Sequence, residues 1–330
     1  GEDEILWNPG IGPHTFFVRA IDAAGFIRVL PARIRVFGGP QFCPEEDRYV
    51  LVVLDTQPGT MQTTHAIWPN NYEAVELGLI RYWFGGYNIQ VHETFGDLEP
   101  PLALMDCASS VFWFHSALPR DGDSSVLENY HAVGPNSLPS YVAAGGNLFL
   151  CGLQPLQALR YFETSDGERN YQQNDPVIFL NTVQDTSLVP HWAATQLGIA
   201  RIENTLGNTR SDPPNRMRVA HSAVRTGPNP YPDLEFDPLT IPLGPELRGF
   251  GFYDRGIVPR DFGSPDRNAQ PLYYFNDTSQ AVGIRRLSPL GPGVNGNMIY
   301  LGLHPWFVYR PQFQELVEAV MNDFGEFPIP

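Results

Sequence analysis

The chain has 330 residues, 42% of them hydrophobic and 12% aromatic, enough to bury a full core and to exclude a disordered tail. Only 17% are charged, and 36 acidic residues against 21 basic ones leave a formal charge of −15. That balance argues against nucleic acid and anionic membrane surfaces as partners, because phosphate binding rests on positive charge.

All 21 basic residues are arginine. Schiff-base chemistry and a phosphate-loop lysine are therefore excluded whatever the fold. No run approaches the ~18 apolar residues of a membrane span, so no membrane insertion is expected. The chain opens Gly1-Glu2-Asp3-Glu4, which reads as the start of a mature or trimmed polypeptide rather than a signal peptide. The 31 Gly and 32 Pro imply many ordered turns and long loops.

In chain order, His14 to Phe37 reads as two alternating strands around a turn at Asp22–Gly25. The segment resembles the last two strands of an immunoglobulin-like or fibronectin type III-like module of bacterial secreted proteins. Two strands do not make a sandwich alone, so residues 1–40 are expected to lean on another module, on the body, or on a neighbouring copy. Gly38-Gly39-Pro40 then marks a boundary. Tyr49–Leu54 is a continuous apolar run, as in a buried parallel strand. The spacing predicts a helix over Tyr72–Phe84 stopped by Gly85-Gly86, a strand at Asn88–His92 and a buried strand at Ser110–His115. A short helix over Leu138–Ala144 leads through Gly145-Gly146 into a strand at Asn147–Cys151.

Residues 161–268 lose the pattern. Pro, Gly, Asn and Asp crowd together there, as in a long loop-rich insertion with little regular structure. Strands return at Pro271–Phe275, Ala281–Leu287 and Met298–Leu303. The last helix begins at Pro311, buries a stripe of Phe313, Leu316, Val317, Val320, Met321 and Phe324, and stops at Gly325. Strands alternating with helices give the expected fold class: α/β, a three-layer, mostly parallel sheet with helices on both faces, preceded by a short β-hairpin.

The runs VLVVLD, YVAAGGNLFLCG and MIYLGLHPWFV, ahead of a final helix, resemble the class I glutamine amidotransferase-like (flavodoxin-like) domain of secreted bacterial proteins. The resemblance spans about residues 45–160 and 270–325 and implies a domain over 41–330. It also implies an extracellular or cell-surface location and a module of a larger polypeptide, whose partners are its other domains or neighbouring copies. In an active amidotransferase, a cysteine at a strand-to-helix turn is paired with the histidine of a His-Pro-Glu run. Cys151 and His304 match those two positions. Trp306 stands where the orienting glutamate belongs, and Phe149 and Gly152 depart from the Gly-x-Cys-x-Gly turn.

Independently of any family, open parallel sheets bind ligands outside the carboxyl ends of their strands. Asp55, Glu93, His115, Cys151 and His304 follow or end five strands there, so Asp55 or His115 can replace the missing orienter. Cys43 and Cys107 precede two strands on the opposite edge and can pair as a disulfide, with Cys151 left free; three free thiols is the other reading. Eight scattered His with no His-x-x-x-His pair give no metal site, and no cofactor is expected. Asp121-Gly-Asp123 reads as a solvated turn. Trp83 and Trp113 read as packing, whereas Trp68, Trp192 and Trp306 fall in loops and can stack on a glycan.

The function these residues favour is a non-catalytic extracellular structural, adhesion or assembly module. The alternatives are a cysteine hydrolase acting on an amide or ester through Cys151 and His304, and a carbohydrate-binding accessory module.

Overall fold

The computed structural model describes residues 12–21, 25, 27–36, 39–55, 72–94, 100–115, 127, 137–152, 155–159, 177–178, 192–204, 219–237, 255–259, 269–275, 279–287, 296–305 and 308–329. The apolar runs form β3 (Tyr49–Asp55), β5 (Ala108–His115), β6 (Asn147–Gly152) and β14 (Met298–Leu301), preceded by the hairpin strands β1 (Gly12–Ile21) and β2 (Ile27–Val36). With the edge strand β4 (Ile89–Glu93) they make a five-stranded parallel array in the order β14-β6-β5-β3-β4. The residues of β3, β5, β6 and β14 are almost all shielded on both faces, as continuous Val, Leu and Phe runs require, whereas the edge strand β4 is partly exposed.

Beyond β14 the sheet turns antiparallel. There β13 (Ala281–Arg286), β12 (Gln270–Phe275), β9 (Val219–Ser222) and β10 (Leu234–Glu235) complete a nine-stranded mixed sheet. Four neighbouring pairings are parallel and four antiparallel, which corrects the expectation of a mostly parallel sheet. The physical reason is connection length. Only residues 276–280 join β12 to β13, too few for the crossover that parallel strands need.

The second correction concerns residues 161–268. They supply β9 and β10 to the main sheet. A separate three-stranded sheet forms there from β11 (Arg255–Pro259), β8 (Ile199–Asn204) and β7 (Val177–Ile178). These strands are two to six residues long, too short for alternation to reveal in a polar, Pro-rich stretch.

Two apolar clusters sandwich the main sheet. On one face, α1 (Tyr72–Trp83) and the last helix, α5 (Arg310–Phe324), cover Val50, Val52, Leu54, Phe112, Phe114, Phe149 and Cys151. Trp83 packs against Phe313 with ring centroids 4.5 Å apart and planes tilted by 51°. On the other face lie the short helices α2 (Leu102–Met105), α3 (Ser137–Ala143) and α4 (Pro155–Leu159), a π turn over Ala193–Leu197, and Ile199 and Ile257 of the small sheet. Among the described residues no helix is long and apolar enough to cross a membrane.

The hairpin β1–β2 pairs over ten residues, from Gly12↔Val36 to Ile21↔Ile27, and joins neither of the other sheets. Gly39, at φ +81°, brings the linker against α3, where a Cβ would lie 2.6 Å from the Ala144 carbonyl. Cys43, just beyond, is bonded to Cys107 across a Cα separation of 5.2 Å, tying the segment before β3 to the one before β5.

Candidate functional site

The chain runs outward from β3 to β4 on one side and through β5, β6 and β14 on the other. The strand order therefore reverses between β3 and β5, and their carboxyl ends flank the crevice where open α/β sheets take ligands. Asp55 ends β3, His115 ends β5, and the two are register partners.

Alternation along each strand sets what faces what. Trp113 and His115 stand on the same side of β5, and the indole Nε1–H of Trp113 donates to Oδ2 of Asp55 at 3.2 Å. The amide of Leu127 donates to the same oxygen at 3.1 Å, and the Thr94 hydroxyl donates to Oδ1 at 3.1 Å. Nδ1 of His115 lies 3.1 Å from Oδ2. A carboxylate only accepts, so Nδ1 carries the hydrogen. Burial alone raises the Asp55 carboxyl. The hydrogen bond and charge of His115, with the donors Leu127 and Trp113, overcome that and bring it below the ordinary aspartate value.

With Nδ1 committed to Asp55, Nε2 is the free face of the His115 ring. It is buried and has no hydrogen-bond partner among the described residues. His304, three residues past β14, is fully buried. Desolvation, followed by the charge of His115, pushes its imidazole down to about 3, so it is neutral at ordinary pH. Asp55, His115 and His304 thus form one electrostatically connected group. Glu93 pairs in register with Leu54, one step short of Asp55, and is half-buried.

Cys151 does not join them. It shares a register row with Leu54, Phe114 and Leu301, residues that point into the cluster under α1 and α5, while Asp55 and His115 belong to the alternate row. Its Sγ–H donates to the Leu303 carbonyl at 3.1 Å, and burial pushes the thiol well above its usual value. A thiolate there is disfavoured, which weighs against Cys151 as the nucleophile of a pair with His304. The sequence departures around Cys151 have the same origin. The strand runs straight through Cys151 and ends at Gly152, which has φ +154°, and a Cβ at Gly152 would collide with the His115 carbonyl. That glycine serves the close approach of β6 to β5, not a nucleophile turn.

Trp192 leads into the π turn at 7% exposure, packed in the cluster over the second face. Trp68, Trp306 and Asp121–Asp123 lie outside the described residues. Among the described residues no three His, Cys, Asp or Glu side chains group to hold a metal ion. The sequence reading missed the role of Trp113 and Thr94 as donors to Asp55. Their signal is the two-residue alternation that puts Trp113 beside His115, legible only once β3 and β5 are known to be neighbours. Comparison with protein-family models, curated proteins and solved structures returned no match.

Proposed function

We propose that this chain is a structural, adhesion or assembly module of a larger extracellular protein, built on an amidotransferase-like body that does not use its cysteine as a nucleophile. The observation that carries this reading is the placement of Cys151. The thiol sits in the apolar layer beneath α1 and α5, bonded to the Leu303 carbonyl, on the other face of the sheet from His115 and Asp55. The Cys43–Cys107 bond supports an oxidising compartment, and the separate, Arg-rich hairpin supports contact with further modules or copies.

The test is alkylation of the folded protein with iodoacetamide, with modified sites located by mass spectrometry. Cys151 is expected to stay unlabelled until the protein unfolds, and Cys43 and Cys107 to be recovered as a disulfide from the native source. Rapid labelling of Cys151 near neutral pH, slowed by His304→Ala, would overturn the reading in favour of a cysteine hydrolase.

A further inference from the structure

The structural role leaves the Asp55–His115 pair without a use. Both side chains are 1% exposed or less, and they meet at the point where the strand order reverses. Among the described residues the Asp55 carboxylate accepts from Thr94, Trp113 and Leu127 besides His115. The large majority of buried polar atoms are bonded, because one without a partner costs roughly 1–3 kcal/mol. Nε2 of His115 has none among the described residues. A rigid carboxylate, a fixed Nδ1–H tautomer and an unpartnered Nε2 lone pair are features of a general base.

We propose that Asp55 and His115 form a general-base pair that activates water for the hydrolysis of a neutral carboxylic ester at the carboxyl edge of β3 and β5. Nε2 removes a proton from water, and the water oxygen forms a bond to the ester carbonyl carbon. When the tetrahedral species collapses, the bond to the alcohol oxygen breaks and the proton passes from Nε2 to the departing alkoxide. The products are a carboxylic acid and an alcohol. Asp55 stays ionised throughout and holds the imidazolium.

The charge of −15 disfavours an anionic substrate. An ester is favoured over an amide because its carbonyl carbon is the more electrophilic and an alkoxide leaves more readily than an amine. Cys151 takes no part, so this activity goes beyond the structural role, and either can fail without the other.

The experiment uses the full chain and p-nitrophenyl acetate between pH 5 and 9. Hydrolysis above the buffer rate is expected, rising with pH along one limb. His115→Gln should lower it by roughly 10²-fold or more, and Cys151→Ala should leave it unchanged. Asp55→Asn should lower the rate as well, and Asp55→Glu, which keeps the carboxylate, should restore part of it, a rescue a purely structural role would not produce. The proposal is overturned if the wild-type protein is no faster than buffer, if a folded His115→Gln keeps the rate, or if Cys151→Ala abolishes it. Should Asp55→Asn fail to fold, the His115→Gln and Cys151→Ala results decide.

Discussion

Phe114 and His115 are consecutive, yet one faces Cys151 in the apolar layer and the other faces Asp55 across the sheet. That one-residue offset separates an inert thiol from a polar cluster, and it has a pH signature. His304 in the folded protein titrates near 3, below the ~6.5 of an unfolded histidine. Below pH ~6.5 the unfolded chain therefore takes up a proton that the native state refuses. Asp55, also shifted down, works in the same direction at lower pH. Stability should be complete above pH ~6.5 and decline progressively toward pH 3. Thermal melts across that range should show the decline, and His304→Gln should flatten its upper part. At this scale the sequence revealed which residues reach the carboxyl edge, because apolar runs end visibly at Asp55, His115 and Cys151. It did not reveal which face each one takes, since register between strands far apart in sequence leaves no local trace.

The helix α5 was the most legible element. Fifteen residues at a 3.6-residue period define a face, and the buried set includes all six residues of the expected stripe. Its C-terminus is closed by Gly325 at φ +76°, with the Glu326 amide bonded back to the Met321 carbonyl at 2.9 Å. What the pattern could not show is how the helix is tied to the antiparallel half of the sheet. Asp323, 5% exposed, accepts from Arg285 at 3.0 Å, Tyr231 at 2.6 Å and Asn229 at 2.8 Å. These partners come from β13 and from the segment between β9 and β10. Removing the carboxylate leaves a largely buried guanidinium unpaired, so Asp323→Ala should cost about 3–5 kcal/mol in urea denaturation. The Asp323→Ala, Arg285→Leu double variant should lose less than the sum of the two single changes. Short elements such as β7 and β10, two residues each, carry no period at all and owe their existence to their partners.

The whole molecule joins two construction principles in one sheet. Crossover connections through helices build the parallel half, and short turns build the antiparallel half. The first was readable as alternating apolar runs and helices. The second was hidden among proline and glycine in residues 161–268, where packing on the existing sheet, not local propensity, decides what becomes a strand. The bond between Cys43 and Cys107 spans 64 positions in sequence and staples β3, α1 and β4 into a closed loop. By restricting the unfolded chain it should add about 4 kcal/mol of stability.

Under tension applied to the chain's ends, that staple has a mechanical meaning. Tension entering at the hairpin and leaving at α5 passes from Cys43 directly to Cys107, so everything between them is excluded from the path of the force. Pulled from its ends one molecule at a time, the reduced chain should lengthen by about 220 Å more than the oxidised one, the extended span of those 64 positions. The first parallel strand and its Asp55 would remain slack while the rest of the body is drawn out.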